Sequence, residues 1–158
     1  MDAISLKISG TLLGPLEELK EELPRAEKRA LYRAAYFLRD KIRQSLSTDI
    51  PKATQPNQKY NDTLVDAVGF TRVDGASLNV NALGTRKPGS GTYRTRFFEE
   101  GTKDRYQKTR NGVRLKKKKF IGKIGATHFF KNSVQTNENQ AVDLMREVIN
   151  QYVQEIYK

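Results

Sequence analysis

Between Pro24 and Leu46 an apolar residue returns at every fourth position: Ala26, Ala30, Ala34, Leu38, Ile42 and Leu46. Only an α-helix brings such a series onto one side of the chain. Leu31, Ala35 and Phe37 widen the stripe. The alanines favour the helix and let a neighbouring element approach closely. The segment is short and alanine-rich for a coiled coil, so the spacing predicts a helix that packs on a sheet, from Pro24 to about Leu46.

A second stripe closes the chain. Ala141, Leu144, Met145, Val148, Ile149, Tyr152, Val153 and Ile156 share a helical face, with Asp143, Arg146, Glu147, Gln151 and Glu155 outside it. Asn137 or Thr136 is the expected cap. Burying this face is worth on the order of ten kcal/mol before ordering entropy is subtracted.

Between and before the helices the pattern changes to period two. Ile4, Leu6 and Ile8 alternate with Ser5, Lys7 and Ser9, as in a half-buried strand. Pro15 opens an acidic stretch, "PLEELKEEL", that predicts a short helix. Gly69–Val73 and Ser77–Leu83 predict a hairpin turning at Asp74-Gly75. "TYRTRFFEEGT" reads as a further strand ended by Gly101, after a flexible "TRKPGSG" loop. The expected fold is α+β. A mostly antiparallel sheet packs against a long helix of the N-terminal half and a C-terminal helix, in a single domain spanning residues 1–158.

Charge is unevenly placed. The net charge is +11, and residues 103–123 alone hold ten basic residues and one acidic, or +9. Asn111-Gly112 lies at the middle of this segment and suits a tight turn. The flanks Tyr106–Arg110 and Val113–Ile121 can therefore pair, and the segment is expected to form a projecting basic ribbon or a loop that is mobile when free. Strict alternation would put Val113, Leu115, Lys117 and Lys119 on one face and Arg114, Lys116, Lys118 and Phe120 on the other. Arg105, Lys108, Arg110, Arg114, Lys116, Lys117, Lys118, Lys119 and Lys123 are the candidate contacts to DNA or to an acidic partner. Such residues neutralise phosphates without reading sequence.

Little else suggests chemistry. The chain has no cysteine, which excludes thiolate metal sites and cysteine nucleophiles. His128 is the sole histidine, so no histidine-based metal site is expected, and it is read as packing or hydrogen-bonding at a helix entry. Glu99 and Glu100, adjacent on an expected strand, point to opposite faces and make a poor acid/base pair. No enzyme and no cofactor is expected. No apolar run approaches the ~20 residues of a membrane span, and the N-terminus lacks a secretory pattern. A soluble protein assembling in the cytoplasm is the expectation.

Three segments together resemble the tail-completion, or neck, proteins of long-tailed bacteriophages. The first is "SLKISGTLLGPLEELKEELP" with the following "RALYRAAYFLRDKIRQSL". The second is "NDTLVDAVGF", where Asp62 precedes Thr63-Leu64 in place of the family's Thr-Gly-x-Leu turn. The third is "FFEEGT" followed, after a variable insertion, by "GATHFFKNSV". The basic segment 103–123 falls at that insertion.

The resemblance implies a structural virion protein at the head–tail junction, assembled in the host cytoplasm. It would form a homo-oligomeric ring, hexameric or dodecameric, around the DNA path, between head-closure or connector proteins and tail-tube or tail-terminator proteins. Arg94, Arg96, Glu99 and Glu100 would lie near subunit contacts, and the ribbon would face packaged DNA or a neighbouring ring. The alternative is a non-specific nucleic-acid-binding domain acting through 103–123.

Overall fold

The computed structural model describes residues 5–9, 23–57, 61–74, 77–81, 91–110 and 112–156. The expected short helix after Pro15, the "TRKPGSG" loop and the Asp74-Gly75 turn tip fall wholly or partly outside them. The chain is α+β, with three helices and two small antiparallel sheets among the described residues.

Strand β1 (Ser5–Ser9) leads to helix α1 (Leu23–Asp49). Pro24 sits in the first turn of α1, where its missing N–H costs nothing. The helix runs three residues past Leu46 and stops before Pro51. Ile50 precedes that proline, and a residue before proline disfavours helical backbone. Near the end, the hydroxyls of Ser47 and Thr48 both donate to the Gln44 carbonyl.

The chain then turns back through a 3-10 turn (Val65–Ala67) into β2 (Gly69–Asp74) and β3 (Ser77–Asn81). The first sheet has the order β1-β3-β2, all antiparallel, with Leu6 opposite Val80 and Phe70 opposite Val80 on the other side. Helix α1 lies against this sheet, mainly along β3, and against the C-terminal helix α3 (Phe129–Ile156). It is therefore covered on two sides, which accounts for its wide stripe: Ala26, Ala30, Leu31, Ala34, Ala35, Leu38, Ile42 and Leu46 are all buried. From Ala30 onward these join Val68, Leu78, Val80, Phe129, Phe130, Ala141 and Met145 in one core. Arg43 ties α1 to the start of β2 by donating from Nε and Nη2 to the Val68 carbonyl, at 3.1 and 2.8 Å.

Two expectations about elements are corrected. Residues Gly91–Glu99 form a helix, α2, and not a strand. Its threonines and aromatics favour strands locally, but tertiary contacts override that preference. Gly91, Thr95 and Glu99 recur every four residues and are all buried. Helix α3 begins at Phe129, eight residues before Asn137. Asn137 lies inside it and donates to the Ser133 carbonyl at 2.7 Å. The polar run "KNSVQTNEN" hid the first two turns, although Phe129, Phe130 and Ser133 are buried there.

The 3-10 turn carries a reciprocal cap. Thr63 Oγ1 and the Thr63 N–H donate to Asp66 Oδ2 at 2.6 and 3.3 Å, and the Asp66 N–H donates to Thr63 Oγ1 at 3.0 Å. The Thr63 hydroxyl is the main reason that the Asp66 carboxyl is held below its ordinary range; partial burial opposes this, and the Thr63 N–H and the Arg43 charge add to it. A depressed folded value stabilises the fold above the unfolded carboxyl range, and the contribution is lost as pH falls through the folded value. Asp66→Asn keeps an acceptor but cannot titrate. Its melting temperature should fall less than the parent's between about pH 5 and pH 3. The difference will be small because the group is exposed and screened. Parallel thermal melts across that range check it; equal losses would exclude Asp66 as a contributor.

Candidate contact site: the basic ribbon and its root

Strands β4 (Arg105–Arg110) and β5 (Val113–Gly122) form the second sheet by themselves. Their tip turns at Gly112, whose φ of +79° needs glycine's freedom. Arg105, Lys108, Arg110, Arg114, Lys116, Lys117, Lys118, Lys119 and Lys123 are all exposed. Near the root the rings of Tyr106 and Phe120 meet across the strands at 5.5 Å. Leu115 is half-buried, but Tyr106, Val113, Phe120 and Ile121 are not sheltered and are between 48 and 69% exposed.

Along β5 the expected grouping holds for Arg114, Lys116 and Lys118, which line one hollow that excludes Lys117 and Lys119, and it breaks at Leu115. Gln107 stands opposite Lys119 and Thr109 opposite Arg114, so β5 bulges away from its partner between them. Leu115 thereby lines the same hollow as Arg114, Lys116 and Lys118.

The root of the ribbon is held by a clasp. The Thr102 N–H donates to the Ile124 carbonyl and the Ile124 N–H donates to Thr102 Oγ1, at 2.9 and 3.0 Å. Gly101 turns the chain with φ +76°, and a Cβ there would lie only 3.0 Å from the Ala126 nitrogen. Thr127 donates from both its N–H and its hydroxyl to the Phe98 carbonyl.

Glu99 completes the clasp. It is 1% exposed, and its two carboxylate oxygens accept the N–H groups of Phe130 and Lys131 at 2.8 and 3.2 Å. These are unpaired donors of the first turn of α3, where the helix dipole also favours a negative charge. His128, exposed and at the cap position, has a left-handed φ of +52° in place of the extended backbone usual there. The cap is instead supplied by Glu99 from the end of α2.

The other end of α2 is fixed in the same way. Asp62 Oδ2 accepts the Gly91 N–H at 2.6 Å, and Asp62 Oδ1 pairs with Arg94 at 2.8 Å. A Cβ on Gly91 would collide with the Thr63 carbonyl oxygen.

This changes the reading of the four candidate subunit contacts. Glu99 faces the interior and both its oxygens are engaged, so it is not available to a neighbouring subunit. Arg94 is drawn into the Asp62 clamp. Arg96 is half-buried, and Glu100 alone of the four is exposed. Asp62 stood out in the sequence only as the residue before Thr63-Leu64, and Thr127 not at all; both are structural partners here.

No described helix is long and apolar enough to cross a membrane. No protein-family model, curated protein or solved structure matches the chain.

Proposed function

We propose that the chain is a structural subunit of the head–tail junction of a long-tailed bacteriophage, a neck or tail-completion protein that forms a ring joining the connector to the tail around the DNA path. One observation carries this reading. Segments that resemble that family, far apart in sequence, meet around α2. Asp62 of "NDTLVDAVGF" holds its start, and its end is the "FFEEGT" motif, which holds "GATHFFKNSV" through Phe98 and Glu99. The intervening stretch, where the family varies, projects as the ribbon.

Assembly also gives the ribbon a use. Four large apolar residues exposed on a charged two-stranded arm are poorly placed in a lone monomer. Against a neighbouring subunit they would be buried inside a polar rim. A heterologous contact of this kind closes into a ring when its rotation divides a full turn.

The purified chain, alone or mixed with head-closure and tail-terminator proteins, should yield a species that contains six or more copies of the 18.0 kDa chain. A monomer under every such condition would count against ring formation. The crowding of basic residues into 103–123 favours a second reading, a nucleic-acid-binding domain that works as a monomer. It predicts tight duplex binding and no self-assembly.

A further inference from the structure

The bulge in β5 creates a feature that a flat ribbon would lack. Lys108 alone faces the stretch Leu115–Lys118, because its neighbours Gln107 and Thr109 pair with Lys119 and Arg114. The displaced strand opens a hollow of about 390 Å³ lined by Lys108, Arg114, Leu115, Lys116 and Lys118. Four of the five lining residues are cations, and no carboxylate lines it. Among the described residues none of the four has an ion-pair partner. Lys117 and Lys119, adjacent in sequence, lie outside it.

Four like charges around one concavity repel one another in the free chain, and a bound anion relieves that repulsion. The donor set suits phosphate. A guanidinium meets two phosphate oxygens at once, and ammonium groups supply point charges around it. The set offers little for reading a sequence: arginine and lysine can pair with guanine, but no amide or carboxylate is present to select adenine or cytosine.

We propose that this hollow is a phosphodiester site, which seats the backbone of duplex DNA across the β5 bulge without reading its sequence. Arg114 grips a phosphate in bidentate fashion, Lys108, Lys116 and Lys118 surround it, and the lysines outside the hollow touch flanking phosphates. The inference rests on the head–tail reading for its choice of DNA among polyanions.

The test compares two triple substitutions that remove equal charge. Lys108, Lys116 and Lys118 are changed to Gln in one full-length variant, and Lys117, Lys119 and Lys123 in the other. Binding to a labelled 20-base-pair duplex of arbitrary sequence is followed by anisotropy across a salt series. The hollow variant should lose on the order of 10- to 100-fold in affinity near 0.1 M salt, and its log–log salt slope should flatten by about 2 to 3. The control variant should lose only about threefold. Matching thermal melts confirm that both remain folded. Equal losses in the two variants would overturn the site, as would absence of duplex binding by the parent. Either failure leaves the head–tail reading standing, because that is decided by particles and not by the isolated chain's affinity for DNA.

Discussion

A chain ended at Asn137 is expected to lose cooperative unfolding altogether. It keeps Phe129 and Phe130 but removes Ala141 and Met145 from the core, along with the partly buried Val148 and Ile149. It also uncovers the side of α1 on which α3 rests. At ~1.5–3 kcal/mol per large apolar side chain, Met145, Val148 and Ile149 account for roughly 5–9 kcal/mol as an upper bound. That is comparable to the whole stability of an ordinary domain, about 5–15 kcal/mol. The alanines of α1 sharpen the effect. Ala26, Ala30, Ala34 and Ala35 are fully buried, but each offers little area of its own. Their contribution is to let larger side chains on neighbouring elements approach the helix. Without α3, a strip of α1 has nothing to pack against. Thermal melting by circular dichroism should show a shallow, uncooperative change, with dye binding to exposed apolar surface. A soluble truncation that melts sharply would mean that α1 and the sheet form a sufficient core alone.

Replacing Glu99 with Ala should cost about 2–4 kcal/mol. The substitution strands the buried Phe130 N–H at roughly 1–3 kcal/mol, leaves the part-buried Lys131 N–H to solvent at less, and removes a favourable charge at the helix N-terminus. Glu99→Gln should cost about half as much. It keeps one acceptor oxygen, but its amide nitrogen then faces the second N–H donor to donor. The order parent, Gln, Ala in denaturant midpoint is the signature of an interior cap. A carboxylate used only to meet a neighbouring subunit would give a different result, with monomer stability unchanged and assembly lost. Glu100→Ala, an exposed neighbour, is the control and should unfold within about 0.5 kcal/mol of the parent. If Glu99→Ala unfolds like Glu100→Ala, the cap contributes little.

These two experiments bear on different layers of what the sequence makes legible. The truncation tests a helix that announced itself. Its apolar positions repeat at helical spacing, and that period is written in neighbouring residues whatever the rest of the chain does. The same is true of α1, of the β2–β3 hairpin and of the ribbon turning at Gly112.

Glu99 tests what was not legible. Helix α2 is fixed at both ends by partners about thirty residues away, Asp62 at one end and the start of α3 at the other. Its buried stripe is Gly91, Thr95 and Glu99, which looks like neither an apolar helix face nor a strand. The local preference of "TYRTRFF" for strand is real, but it is outweighed by contacts that no window of sequence contains. Likewise "RFFEEGT" shows two acids side by side and does not reveal that one of them caps a helix beyond the ribbon.

The ribbon falls between these cases. Its existence and charge follow from residues 103–123 alone. Its hollow does not, because the bulge depends on which residues of β4 and β5 choose each other. Strict alternation already groups Arg114, Lys116 and Lys118 on one face, apart from Lys117 and Lys119. The observed register sets Lys108 of β4 opposite the displaced stretch and brings Leu115 to the same hollow, which turns a basic face into a candidate site.

Electron microscopy of particles made without this chain tests the head–tail assignment most directly. The prediction is DNA-filled heads and separate, complete tails in the same lysate, with joining restored when the chain is supplied. Joined, infectious particles made in its absence would contradict the proposed role.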